Sequence, residues 1–379
     1  MFNSAQRHEP EVLPQKRTGA RGGKHTDGEE AYASCLGVIL TETCNIQCGH
    51  CLPECKPGRT ENLEWMALER ILREAKLGGS VTKIAFTGGE PFLVLNMLRQ
   101  AVVLCVELGF RTSVMTNGFW AISVPQARDT LQRLPGLTEL GLSTDTFHQD
   151  FIPVERIRNA ITVGQELGIR CLVRVCVLSH PEEAIERIRE QLSGLDELYT
   201  LQIQPIQPMG RAVNLEPDRN LTNLTACLRC KAADSPSVTT SGDVTACCGA
   251  SNHWLGRHPL HFGNIFEHSV DRVLKVGDEN PIVQALRLWG PWWLLNVVQK
   301  QASREGVSLP PLPSASFCSV CEYLNADGVR AGLLWRAIRN PEVLRKIAVG
   351  RLLSFGEASM LSRMPPSLPN VEDGSSTTL

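Results

Sequence analysis

Six apolar, β-rich runs recur between residues 36 and 204, separated by amphipathic segments that close near glycines, and this alternation constrains the fold more than any other feature. The runs are Leu36 to Leu40, Val81 to Phe86, Arg111 to Met115, Glu139 to Leu142, Cys171 to Leu178 and Leu198 to Gln204. The segments between them stop near Gly78, Gly109, Gly136, Gly168 and Gly194, as expected where glycine supplies the left-handed residue after a helix. Pro125, Pro153 and Pro181 sit where helices can begin. Strands alternating with helices, without hairpin signals between them, predict an α/β fold whose parallel sheet is built from right-handed crossovers. The pattern alone leaves open whether that sheet is flat or curled. In either form the chemistry gathers at the carboxyl ends of the strands.

Those ends carry the polar residues of interest. After the first run comes Thr41-Glu-Thr-Cys44-Asn-Ile-Gln-Cys48-Gly-His-Cys51, three cysteines spaced C-x3-C-x2-C. Three thiolates on one tight loop can hold three corners of a cubane iron-sulfur cluster, whose ordinary complement is four cysteines. The fourth iron is then open to a ligand that is not protein, as a catalytic zinc keeps one position free. Structural zinc prefers paired C-x2-C knuckles and four ligands, and no partner follows closely here. The second run ends in Thr87-Gly88-Gly89-Glu90-Pro91, the third in Thr116-Asn117-Gly118 and the fourth in Ser143-Thr144-Asp145.

On the cysteine spacing and the Gly-Gly-Glu-Pro strand end, the chain resembles the radical S-adenosylmethionine (radical SAM) enzymes. The resemblance implies an incomplete (β/α)6 TIM-like barrel, with Cys44, Cys48 and Cys51 holding a 4Fe-4S cluster whose open iron takes the amino and carboxylate groups of S-adenosylmethionine. It implies that Gly88, Gly89 and Glu90 cradle the methionyl ammonium and that Asn117, Ser143 and Asp145 lie near the cofactor. An electron from the reduced cluster would cleave the sulfonium to a 5'-deoxyadenosyl radical that abstracts hydrogen from substrate. The residue before the third cysteine, usually aromatic in that family, is His50 here. Arg174 interrupts an apolar strand, so its charge must be paired or solvated in a groove, either by a carboxylate of the bound cofactor or by Asp145 or Glu90. His148, just past Asp145, is a candidate proton acceptor toward substrate, or else a helper of local hydrogen bonding.

From Cys227 the pattern changes to cysteine punctuation: Cys227-x2-Cys230, Gly242-Asp-Val-Thr-Ala-Cys247-Cys248, and Cys318-x2-Cys321. A Gly-Asp turn between short β runs predicts a hairpin. This order resembles the twitch module, a shorter relative of the SPASM domain, which implies a smaller C-terminal α+β region with one auxiliary 4Fe-4S cluster on Cys230, Cys247, Cys318 and Cys321. Cys227 can replace Cys230, and Cys248 can replace Cys247 or donate hydrogen to a substrate radical. A zinc site on Cys227, Cys230, Cys318 and Cys321 is the rival. Pro208-Met-Gly-Arg211-Ala212 resembles the barrel exit of such proteins, with Arg211 as hinge or packing residue. The expected divisions are an N-terminal arm over 1–34, the partial barrel over 35–215, the auxiliary cluster region over 216–325, helices over 326–364 and a disordered tail over 365–379. Between the cysteine groups, Trp289, Trp292 and Trp293 either line a cavity, dock a partner or form core.

A net charge of −2 over 379 residues argues against a general nucleic-acid or membrane-surface binder, and no apolar run approaches the length of a bilayer span. Fourteen cysteines without a secretory leader predict a cytoplasmic protein that uses reduced thiols for metal. The resemblance implies an electron donor such as flavodoxin or ferredoxin, and a two-electron oxidation in which the auxiliary cluster takes an electron. Twitch-bearing relatives include an aminocyclitol dehydrogenase and the cyclase of molybdenum-cofactor biosynthesis, whereas SPASM relatives mostly modify peptides. The polar N-terminal stretch is too short for a leader-binding winged helix, which favours a small biosynthetic intermediate over a peptide. A non-catalytic iron-sulfur carrier or sensor and a zinc-bound scaffold are the readings from other classes.

Overall fold

The computed structural model describes residues 32–178, 181–215, 229–252, 254, 258–312, 316–325 and 327–361. The expectations for most of the N-terminal arm, for Cys227 and for the tail lie outside the described residues.

All six apolar runs are strands: β1 (Cys35–Thr41), β2 (Lys83–Gly88), β3 (Arg111–Thr116), β4 (Glu139–Ser143), β5 (Arg170–Val177) and β6 (Tyr199–Pro205). They pair in sequence order and all in parallel, with helices Trp65–Gly78, Leu95–Glu107, Val124–Gln132, Val154–Glu166 and Pro181–Gln191 in the crossovers. The first helix shows why such segments pack: Leu68, Ile71, Leu72 and Ala75 fall on one buried face at helical spacing. It ends at Gly78, where expected, and Gly79 after it takes the left-handed conformation (φ 74°). β1 is covered on both faces, as central parallel strands are, whereas β6 alternates half-buried and exposed residues and forms the open edge.

β1 and β6 do not pair, so the sheet does not close into a full barrel. It is nonetheless curled, because the turn after β6 returns to the loop after β1: Arg211 N donates to Cys51 O at 3.2 Å. The C-terminal strands extend the same sheet. β7 (Ser237–Val238) adds parallel to β1, and β8 (Asp243–Thr245) and β9 (His261–Asn264) follow antiparallel, giving the expected hairpin at Gly242-Asp243. The second cysteine region is therefore built onto the barrel edge.

The tryptophan run lies within a long helical segment, Pro281–Glu305, broken at Gly290 (φ 73°, ψ −179°) and Pro291. Helices Gly328–Ile338 and Pro341–Phe355 pack chiefly on that segment and not on the barrel. Buried ion pairs lock them there: Arg287, 0% exposed, reaches Asp234 and Glu357, and Arg351 reaches Asp278 and Glu357. No helix among the described residues is long and apolar enough to cross a membrane.

Candidate active site

The loop carrying Cys44, Cys48 and Cys51 is fixed by backbone contacts on one side and by the Arg211 side chain on the other. Cys44 N donates to Lys56 O at 3.2 Å, and the Gly-Gly pair after β2 presses against its other side, with Gly89 N on Thr41 O at 2.7 Å and Glu90 N on Thr43 O at 2.9 Å. A Cβ on Gly89 would stand 2.1 Å from Thr43 O, and one on Gly88 2.3 Å from Thr41 O, so only glycine permits this approach. Arg211 clamps the loop from the barrel exit: Nε donates to Cys48 O and Nη2 to Cys55 O, both at 2.8 Å. A side chain on Gly210 would meet Leu52 O at 2.2 Å. The Gly-Arg-Ala turn thus holds the cysteine loop, a role more definite than the hinge or packing expected for Arg211.

The three thiols lie within one another's fields. Burial pushes Cys44 up to about 12, with the charges of Glu90, Cys48 and Cys51 adding to the shift. Cys51 is pulled down to about 6 by a hydrogen bond from Cys55, against burial and with help from Arg211. Three thiols gathered on one loop, Cys44 and Cys48 buried and Cys51 half-buried, make a donor set that fits a thiophilic metal group.

A cavity of about 240 Å³ opens beside the loop, and β2 to β6 each send residues to its wall. Besides the three cysteines these include Gly88 and Gly89, Asn117, Ser143, Arg174 and Gln204. Arg174 forms no ion pair among the described residues; it reaches only Gln202 Oε1, at 3.4 Å, so neither Asp145 nor Glu90 compensates it. Its charge stands at the cavity wall, open to an anionic ligand.

Glu90 and Asp145 depart from expectation, since neither carboxylate lines the cavity. Glu90 is fully buried, accepting from Thr116 Oγ1 at 2.7 Å, Asn117 N at 2.8 Å and Phe92 N at 3.1 Å. It ties the end of β2 to the end of β3, and burial raises its pKa to about 7. Asp145 caps the short helix Thr146–Gln149, accepting from Phe147 N and His148 N at 3.0 Å and from Cys176 N at 3.2 Å. A sequence cannot show which way a strand-end carboxylate turns, and here both turn inward.

His148, the expected proton acceptor, has its Nδ1 2.9 Å from Asp145 Oδ1 and a ring nitrogen within 4.8 Å of Cys48 Sγ. Burial opposes its charge, yet these two partners raise its pKa to about 10. His50 fills the usual aromatic position, its ring 4.9 Å from Phe147 and 5.0 Å from His148. Burial lowers it to about 4.

The second cysteine group is assembled from three separate elements. Cys230 is anchored through its N–H to Leu286 O at 2.8 Å, Cys247 follows the β7–β8 hairpin, and Cys318 and Cys321 share helix Phe317–Asn325. Burial, then the other cysteines of the group, pushes Cys230 up to about 12 and Cys318 and Cys321 well above the ordinary thiol value. Cys318 N donates to Gln207 Oε1 at 2.9 Å, and Gln207 lines the first cavity, so the two centres share a wall. Cys248 is exposed and within electrostatic reach of both Arg174 and Cys318. Trp289 and Trp293 meet at 4.5 Å with their rings tilted by 37°, on a different groove beside Arg345, Lys346 and Leu353, and do not line the cysteine cavity.

Residues 38–192 match the sequence family described as the Radical SAM superfamily. The chain is 21% identical over 303 residues to a putative peptide biosynthesis protein, YydG of Bacillus subtilis, covering 77% of this chain and 92% of that protein. It is 27% identical over 195 residues to the GTP 3',8-cyclase of Mycobacterium ulcerans, covering 47% of this chain and 51% of the cyclase. Among solved structures, SuiB of Streptococcus suis bound to S-adenosylmethionine superposes with a TM-score of 0.50 at 17% identity, covering 68% of each chain. SuiB bound to its precursor peptide SuiA gives the same TM-score at 16% identity, covering 69% of this chain and 68% of SuiB. Three thiols at the mouth of a curled parallel sheet lie within the matched segment, so residues 38–192 are this chain's radical SAM region, of a superfamily that uses a 4Fe-4S cluster and S-adenosylmethionine.

Proposed function

We propose that this radical SAM enzyme oxidises a peptide, removing hydrogen from a substrate carbon so that a new bond can close. The observation that carries the peptide reading is the extent of the YydG similarity, which covers 77% of this chain and 92% of that protein and so reaches beyond the barrel, whereas the cyclase similarity covers about half of either protein. The architecture shared with SuiB, which takes the peptide SuiA, agrees with it. This reading replaces the small intermediate favoured by the sequence alone.

In this reading Cys44, Cys48 and Cys51 hold the cluster, and Gly88, Gly89, Asn117 and Ser143 form the wall against which the cofactor lies. Arg174, the uncompensated cation of that wall, takes a carboxylate. When bound and reduced, the cluster supplies the electron that cleaves S-adenosylmethionine to methionine and a 5'-deoxyadenosyl radical, which removes a substrate hydrogen atom. Cys230, Cys247, Cys318 and Cys321 hold the auxiliary cluster as the outlet for the second electron, and the accompanying proton passes to solvent. Exposed Cys248, within electrostatic reach of Arg174 and Cys318, lies where a substrate would pass between the two centres. Flavodoxin or ferredoxin is the reductant.

The test is anaerobic reconstitution with iron, sulfide, dithionite and S-adenosylmethionine, with and without synthetic peptides encoded beside the gene. The expected result is 5'-deoxyadenosine in all samples and, with the true substrate, a peptide lighter by two hydrogens. Formation of 5'-deoxyadenosine that no peptide accelerates, together with consumption of a nucleotide or aminocyclitol, refutes the peptide reading. Iron-loaded protein that never cleaves S-adenosylmethionine is a carrier or sensor, and colourless, zinc-loaded protein is a scaffold.

A further inference from the structure

One apolar surface of the molecule has no use in the chemistry above. Helices Pro281–Glu305 and Pro341–Phe355 border an open groove of about 680 Å³, lined by Trp289 and Trp293 from the first and by Val349, Gly350 and Leu353 from the second. Both tryptophans are only half-buried, and Val349 and Leu353 are 40% and 79% exposed. Gly350 lets the two helices approach closely, since a Cβ there would stand 3.0 Å from Leu288 Cδ1 and from Trp289 Cζ2. Half-exposed aromatic and aliphatic side chains in a helix-lined groove suit the apolar anchors of a bound peptide.

The charge of the groove is one-sided. Arg345 and Lys346, one helical turn before Val349 and Gly350, also line it, and exposed Lys300 lies two turns beyond Trp293 on the same helix face. Among the described residues none of these three cations has an ion-pair partner, whereas their neighbours are engaged: Arg336 with Glu305, Arg351 with Glu357, and Arg339 over the Trp335 ring. Against them stands one lining carboxylate, that of Glu342. The cavity at the cysteine loop, at about 240 Å³, is small for a ligand pocket, so a peptide that reaches it is held mostly elsewhere.

We propose that the groove at Trp289 and Trp293 docks an acidic segment of the peptide substrate, with its carboxylates on Arg345 and Lys346 and its apolar side chains on the two tryptophans. The inference rests on the peptide reading above. Charge complementarity at such a rim selects the partner and speeds its encounter, while the apolar contacts hold it.

The experiment uses the full chain, reconstituted anaerobically, and whichever synthetic peptide encoded beside the gene loses two hydrogens. KM and kcat for that peptide are measured on the wild type, on the double variant Arg345→Glu with Lys346→Glu, and on Leu353→Asp. A second peptide has its acidic residues replaced by their amides. Each protein variant is expected to raise KM about tenfold with kcat, and 5'-deoxyadenosine formation without peptide, unchanged. The amide peptide is expected to show a raised KM on the wild type and the same KM on the charge-reversed variant. Wild-type KM for the acidic peptide should also rise with ionic strength. An unchanged KM in both protein variants overturns the proposal, as does a modified peptide that has no acidic segment. A raised KM that accompanies dissociation of a dimer in sedimentation overturns it too, by making the groove a contact between copies of this chain. If 5'-deoxyadenosine forms and no peptide is modified, the peptide reading itself fails and the docking inference falls with it, a result distinct from an indifferent groove.

Discussion

The two cysteine groups gather thiols by opposite means. The first takes Cys44, Cys48 and Cys51 from one loop, braced by the Gly88-Gly89 backbone on one side and by Arg211 on the other. The second draws Cys230, Cys247, Cys318 and Cys321 from a short turn, the far side of a hairpin and a helix, and it exists only when Pro281–Glu305 and Gln207 are in place. A local site loses little chain entropy on forming, while a site closed over long loops depends on the stability of everything between its ligands. The first centre should therefore behave as a property of the loop and the second as a property of the fold.

The sharpest way to break that comparison is to remove one ligand from each centre. Cys48→Ala is expected to abolish 5'-deoxyadenosine formation and to lower iron from roughly eight to roughly four per chain. Cys318→Ala is expected to lose a similar amount of iron yet retain cleavage of S-adenosylmethionine, now uncoupled from product. Iron analysis and 5'-deoxyadenosine quantification on the same samples decide it. Loss of cleavage in Cys318→Ala would show that the centres, which share the Gln207 wall, are not separable.

The same contrast governs what can be read from the chain. The observed strands overlie the six apolar runs to within a residue or two, because β-branched stretches between glycine-closed helices have no other stable use. The cysteine loop was legible for a similar reason, its spacing being local. What escaped reading was direction and distance. Glu90 and Asp145 lie at strand ends where a ligand contact was expected, yet Thr116, Asn117, His148 and Cys176 claim their oxygens. Arg211 gained its role only when the turn after β6 came back onto the loop after β1. The pairing of β7 with β1 likewise follows from a crossover that no periodicity reports.

A loop-owned site should respond to loosening of its clamp. Arg211→Ala removes two charge-assisted hydrogen bonds to Cys48 O and Cys55 O, at about 1.5–3 kcal/mol each in general and less where water substitutes. We expect a loss of about 2–4 kcal/mol in apo-protein stability by urea denaturation. Iron at the first centre should fall while the second stays filled. Arg211→Lys is expected to recover only part, since an ammonium cannot span both carbonyls in the fork geometry. Equal loss of iron at both centres would mean that the clamp serves the whole fold.

The smallest expected effect is a difference in pH response. Glu357 is held down at about 2 although burial opposes it, because Arg287 and Arg351 ion-pair with it and Tyr32 N donates to it. A carboxylate depressed by folding stabilises above its unfolded value and loses that contribution as pH falls from about 4.5 toward 2, at most about 3 kcal/mol here. Glu90 runs the other way. Its pKa is raised to about 7, so the folded apo chain binds the extra proton and loses stability as pH rises from about 4.5 through 7. Acid should thus unfasten the C-terminal region first, visible as a change in the fluorescence of Trp289, Trp292 and Trp293, while the barrel weakens on the alkaline side. Glu357→Gln is expected to flatten the acid limb alone and Glu90→Gln the limb between 4.5 and 7 alone. If either substitution flattens both limbs, the two regions unfold as one unit and the separation between a loop's site and a fold's site does not hold.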